Sequence, residues 1–106
     1  MVLDVIVITT PAKGKEARVE ELIGQQVEGI RQNEPGVLFD RCYKRADLDD
    51  GTEFVIVQRY KDEAAYNAHF HTEHRKDLPA IIKDEELMEK PMVYMKLEPI
   101  RYGFGR

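Results

Sequence analysis

Two alternating runs, VLFDRCYKRA (37–46) and TEFVIVQRY (52–60), enclose the turn-forming stretch DLDDG (47–51). Asp and Gly supply local side-chain hydrogen bonds and positive φ at such a turn, so residues 37–60 read as a β-hairpin. Along its first strand Leu38, Asp40, Cys42 and Lys44 fall on one face, and Phe39, Arg41, Tyr43 and Arg45 on the other. A central hairpin in a chain of 106 residues leaves room for little more than one helix and one strand on either side.

Both flanks carry that pattern. VLDVIVIT (2–9) is rich in β-branched residues and stops at Thr10-Pro11, which predicts a strand. Residues 13–32 then place Val19, Leu22, Ile23, Val27 and Ile30 on one helical stripe. Gly14 is expected to cap that helix, Glu16 in its first turn suits the helix dipole, and Asn33-Glu34-Pro35-Gly36 ends it. Gly24 and Gly29 each cost up to about 1 kcal/mol inside a helix, so a close neighbour is expected there.

Beyond the hairpin, Asp62 is the expected N-cap of a second helix, with Tyr66 and Phe70 on one side of it. Pro79 breaks or kinks any helix running through it, and Leu78, Ile81, Ile82, Leu87 and Met88 predict helix resuming afterwards. MVYMKLEP (92–99) alternates as a last strand, followed by the tail IRYGFGR. The order β-α-β-β-α-β is the ferredoxin-like α+β arrangement, four antiparallel strands with two helices, in a single domain over residues 1–106. Two helices cover one sheet face only. The other face needs a second cover, and a homodimer joined through the sheet face is expected.

Charge and cysteine content narrow the partners. The net charge of −4 comes from 20 acidic and 16 basic residues with no long basic run, which argues against nucleic acid or an anionic membrane. The lone Cys42 excludes an intrachain disulfide and fits a reducing compartment. The opening VLDVIVI contains Asp4, lacks a basic lead and is too short to span a bilayer. A cytoplasmic protein is therefore expected.

All three histidines, His69, His71 and His74, fall within YKDEAAYNAHFHTEHRK (60–76). No H-E-x-x-H is present and one cysteine makes no Cys/His cluster, so no metal site is expected. On a helical wheel His69 lies beside Tyr66 and Phe70, toward the core, whereas His71 points away. His74 sits where the helix breaks, a place from which a side chain can turn into a cavity mouth. Histidine in a cavity titrates near neutrality and suits proton transfer. A packed, hydrogen-bonded His69 and a turn-capping His74 fit the same pattern, and the residues alone leave both readings open.

The ordered set PAKGKEARVEEL, NEPGVLFDRCY, GTEFVIVQRYKDEAAYNAH, HTEH and MVYMKLEP resembles the antibiotic biosynthesis monooxygenase family of dimeric α+β barrels over nearly the whole chain. The strand-to-helix run FVIVQRYKDEAAYNAHFHTEH is its most diagnostic part, with His69 and His74 standing five apart as the family's two histidines do. The resemblance implies a curved sheet paired with a twofold mate, each protomer keeping a cavity between sheet and helices. Members include monooxygenases that oxidise quinols or aromatic polyketides without flavin, haem or metal, the deprotonated substrate itself reducing oxygen. Relatives degrade haem or isomerise a small phosphorylated sugar. This chain has no tryptophan, so it lacks the Asn-Trp-His set of the haem-degrading branch and the tryptophan of the polyketide-oxidising branch. Asp40 stands where relatives often carry an aromatic residue, Pro79 interrupts a helix that is usually continuous, and the tail RYGFGR is extra.

The expected activity is thus a cofactor-independent monooxygenase acting on a quinol-like or polyphenolic small molecule with oxygen. An isomerase on the same scaffold and a non-catalytic ligand-binding or stress-response dimer are the alternatives. His74 is the expected general base or hydrogen-bond donor, with His69 its partner or a substrate contact. Asp40 is expected to orient a histidine or a substrate hydroxyl, and Arg41 or Arg59 to hold a developing oxyanion. Tyr43, Tyr60 and Tyr66, with Phe39, Phe54 and Tyr94, are candidate cavity walls, although such aromatics are more often simply core or dimer interface.

Overall fold

The structure is a computed structural model describing residues 1–106. The β-branched run near the start forms β1 (Leu3–Thr9), and the apolar stripe that follows forms α1 (Glu16–Asn33). The hairpin forms as β2 (Val37–Lys44) and β3 (Phe54–Tyr60). After it come α2 (Glu63–His69), α3 (Leu78–Asp84) and β4 (Val93–Leu97). The strands make one antiparallel sheet in the order β2-β3-β1-β4, the ferredoxin-like topology expected.

Local chemistry accounts for most boundaries. Asp62 caps α2, its carboxylate accepting from the Ala65 N–H at 2.8 Å. The second helix is split in two: α2 ends at His69, and Pro79 stands in the first turn of α3, where its missing N–H leaves no bond unmade. Lys15, not Gly14, is the N-cap of α1; Gly14 precedes it with φ +87° in the turn between Pro11 and the helix. A register shift between Val37 and Phe39 alters the faces of β2. Leu38 is the extra residue of this bulge and is 55% exposed, so it does not share the covered face with Asp40 and Cys42.

The sheet's inner face meets the helices in two apolar clusters. Leu3, Val5, Val7 and Tyr60 form one, and Val19, Leu22, Phe54 and Leu87 the other. Between them lies a cavity whose wall draws on both clusters and on all five residues of the α1 stripe. The outer face has no helix over it. Its register brings Ile6, Ile8, Val55 and Val57 beside Phe39, Tyr43, Val93, Met95 and Leu97, of which the last five are exposed. No helix is long and apolar enough to cross a membrane.

Candidate active site

The site grows from the C-terminal end of α1. Glu34 follows that helix directly, and its carboxylate is buried under two imidazoles. His69, the last residue of α2, donates Nδ1–H to it at 2.9 Å. His74, in the turns between α2 and α3, donates Nε2–H to the Glu34 Oε2 at 2.5 Å and sits 3.1 Å from Thr72 Oγ1. The Thr72 hydroxyl donates to the His69 carbonyl at 2.8 Å, tying both histidines to one turn. A carboxylate only accepts, so it fixes the tautomer of each ring. For His69 this leaves Nε2 as a lone-pair acceptor with no protein partner, on a ring that lines the cavity.

Gly29 explains the placement of His74. A Cβ at Gly29 would stand 2.5 Å from His74 Cγ and 2.7 Å from His74 Cβ, so the imidazole lies directly on the glycine backbone of α1. Gln26, one turn earlier, donates to the His74 carbonyl. The close neighbour expected at Gly29 is therefore a histidine of the site. Gly24 has no atom within 4 Å of its Cβ position, and no close contact accounts for it.

Burial, working against the Glu34 hydrogen bond, lowers the pKa of His69 below the usual histidine value. Its imidazole is accordingly neutral at pH 7, the state a general base requires. Across the inner face of the sheet runs a second polar line. The Tyr60 hydroxyl donates to Gln58 Oε1 at 2.9 Å, and Gln58 Nε2 makes a long 3.4 Å contact to Asp40. Burial raises the Asp40 carboxyl above the usual range and pushes the neighbouring Cys42 thiol up to about 11, so the thiol is not a nucleophile at neutral pH.

Aromatic rings close one side of the cavity. Tyr60 meets Tyr66 edge-on at 5.3 Å, Tyr66 meets Phe70 at 5.1 Å, and Phe70 meets Tyr94 at 6.0 Å. The free volume is about 80 Å³, roughly half of the ~150 Å³ apolar cavity that admits a benzene ring. One aromatic ring enters only if this wall yields.

Of the residues singled out by sequence, His69, Asp40, Tyr60, Tyr66 and Tyr94 line the cavity. His74 does not line it; Glu34 and Thr72 tie it to His69, and the cavity residue Gln26 donates to its carbonyl. Arg41 and Tyr43 project from the outer face and are exposed, because alternation on β2 gives the inner face to Asp40 and Cys42. Arg59 is on the outer face too, paired with Asp4 at 2.7 and 2.9 Å. Phe39 joins them there, while Phe54 is buried in the second core cluster. Sequence reasoning took Glu34 for part of a helix stop and passed over Arg75, which lines the cavity while 7% exposed. Glu34, His69 and His74 place their ligand atoms within 4.8 Å of one another, a two-histidine, one-carboxylate set able to hold a divalent cation. Hydrogen bonds among the three already satisfy those atoms.

The antibiotic biosynthesis monooxygenase family profile matches residues 1–79, which include β1 through α2 and all three members of the cluster. The chain belongs to the antibiotic biosynthesis monooxygenase family. No curated protein matches it. Among solved structures it is similar to Rv0793 from Mycobacterium tuberculosis, with 23% identity, a TM-score of 0.84, and 98% of this chain and 100% of that one covered. A structure described as an antibiotic biosynthesis monooxygenase is 24% identical, with a TM-score of 0.78 and 92% and 98% covered. PA3566 from Pseudomonas aeruginosa is 25% identical, with a TM-score of 0.72 and 93% and 94% covered. These likenesses carry the monooxygenase-family fold across the sheet and all three helices.

Proposed function

We propose that this family member is a cofactor-independent monooxygenase that oxidises a single-ring quinol-like or phenolic molecule with oxygen. The observation that carries the reading is the Glu34–His69 pair, which gives the cavity a neutral imidazole with its tautomer fixed and Nε2 unengaged. Nε2 takes the proton of a substrate hydroxyl. The phenolate formed is electron-rich enough to reduce oxygen, and a ring carbon bonds to one oxygen atom. Loss of that carbon's hydrogen and cleavage of the O–O bond leave a carbonyl. The departing hydroxide takes up the proton held by His69 and leaves as water. The substrate supplies all four electrons, so the products are a quinone and water.

The cavity supports the substrate class by its lining. It is mostly apolar and walled by aromatic rings on one side, and a wall that must already yield to one ring disfavours several fused ones. Asp40 and Gln58 lie where a second substrate oxygen can be held. His69 is the base in this account and His74 buttresses Glu34, an exchange of the roles expected from sequence. The protomers pair through the outer sheet face, where exposed apolar strand residues have no other cover. The lone free Cys42 supports a cytoplasmic location. Mass spectrometry of the product formed under ¹⁸O₂ by metal-free protein tests the chemistry. One labelled oxygen in the quinone is expected; an unlabelled quinone, or no turnover above spontaneous oxidation, overturns it.

A further inference from the structure

Arg75 is a buried cation without an anion. Its residue is 7% exposed, and no carboxylate lies within 4.0 Å of its guanidinium, whereas Arg18, Arg31, Arg45 and Arg59 all hold one. The contacts it does make are to aromatic rings that line the cavity with it. One N–H donates to the Tyr94 hydroxyl at 3.1 Å, and the guanidinium lies 5.1 Å from the Phe70 ring centroid. Asp40, the one carboxylate lining the cavity, faces Gln58 Nε2, and Glu34, behind His69, accepts from two histidines. Arginine carries five N–H donors in a planar fork, and buried charges in native proteins are paired. Two further polar atoms of cavity residues, Thr9 Oγ1 and Gln26 Oε1, are buried with no partner at all. Thr9, Gln26 and Arg75 all line the same cavity.

We propose that the cavity takes an anionic ligand, an aromatic or enolic carboxylate, and that Arg75 is its anchor. The carboxylate supplies the acceptor pair that the planar guanidinium fork lacks, and the ring lies against Tyr66, Phe70 and Tyr94. The proposal rests on reading the cavity as the substrate site and narrows the substrate from a quinol to a quinol carrying a carboxylate. A phenolate formed only during turnover would give Arg75 no preference among neutral ring compounds, whereas a permanent carboxylate is recognised before any chemistry.

The test compares 2,5-dihydroxybenzoate with hydroquinone, the same ring with and without the carboxylate, by titration calorimetry on the full chain. Wild-type protein is expected to bind the carboxylate at least roughly tenfold more tightly. Arg75→Gln is expected to lose that preference while Arg75→Lys keeps part of it. Circular dichroism reports folding of each variant, and removing an unpaired buried charge is not expected to lower Tm. Equal affinity for the two compounds, no saturable binding of 2,5-dihydroxybenzoate, or a preference that survives in Arg75→Gln overturns the proposal. If Arg75→Gln proves unfolded, the ligand-induced rise in wild-type Tm decides: a rise with 2,5-dihydroxybenzoate and none with hydroquinone supports the proposal, and equal rises sink it. His69→Asn separates this proposal from the oxygenase reading. That variant keeps the carboxylate preference whether or not the wild type consumes oxygen, so either idea can fail alone.

Discussion

Glu34 accepts from two imidazoles that stand 35 and 40 positions away in the chain. That separation is why its role was not legible in the sequence. A glutamate in Asn-Glu-Pro-Gly reads as part of a helix stop, and only the fold brings His69 and His74 to it. The histidines themselves were legible, because their spacing around Tyr66 and Phe70 put His69 inward and His71 outward. Replacing Glu34 by Gln removes the acceptor that fixes the His69 tautomer and is expected to lower kcat by on the order of 10² or more, read in single-turnover kinetics. The depressed pKa of His69, caused first by burial, has consequences for both activity and stability. The base works only when neutral, so the acid limb of the kcat/KM profile is expected to have its midpoint below the usual histidine value of about 6.5. A midpoint well above that value contradicts the assignment. For stability, between the folded and unfolded values only the unfolded chain binds the proton. The contribution of His69 is therefore complete above about pH 6.5 and is lost as pH falls through the folded value. Urea unfolding from pH 7.5 to 5 is expected to show a smaller acid loss in His69→Asn than in wild type.

At the level of elements, the two helix glycines make opposite predictions. Alanine improves intrinsic helix propensity by about 1 kcal/mol at an exposed interior position. Gly24→Ala meets nothing within 4 Å and is expected to stabilise the protein by up to about that amount. Gly29→Ala would drive a methyl group into His74, so it is expected to destabilise despite the same propensity gain and to loosen the Glu34 cluster. Thermal unfolding of the pair checks this: a rise in Tm for both contradicts the contact. The stripe on α1, the cap at Asp62 and the Phe54 strand were readable from local periodicity and turn chemistry. The β2 bulge was not, because one extra residue at Leu38 takes Val37 and Leu38 out of an alternation that residues 39–44 keep.

For the molecule as a whole, the sequence order of elements already implied one covered and one open sheet face, and the strand order β2-β3-β1-β4 follows from it. The cavity was not implied. It exists because the covered face packs as two apolar clusters with a gap between them, a matter of side-chain volumes drawn from Val7 to Tyr94 rather than of any local pattern. If the open face joins two protomers, Met95→Glu, on an exposed β4 position beside Ile6, is expected to shift the protein toward monomer in sedimentation velocity while leaving circular dichroism unchanged. An unchanged sedimentation coefficient contradicts that interface. In the proposed reaction the sheet, α1 and α2 converge to give one cavity one base. Oxygen uptake by metal-free, cofactor-free protein, with His69→Asn and His74→Asn side by side on a panel of single-ring quinols, tests it most directly. His69→Asn is expected to lose about 10²–10⁴-fold while His74→Asn loses less. Uptake that His69→Asn retains and His74→Asn abolishes would contradict it.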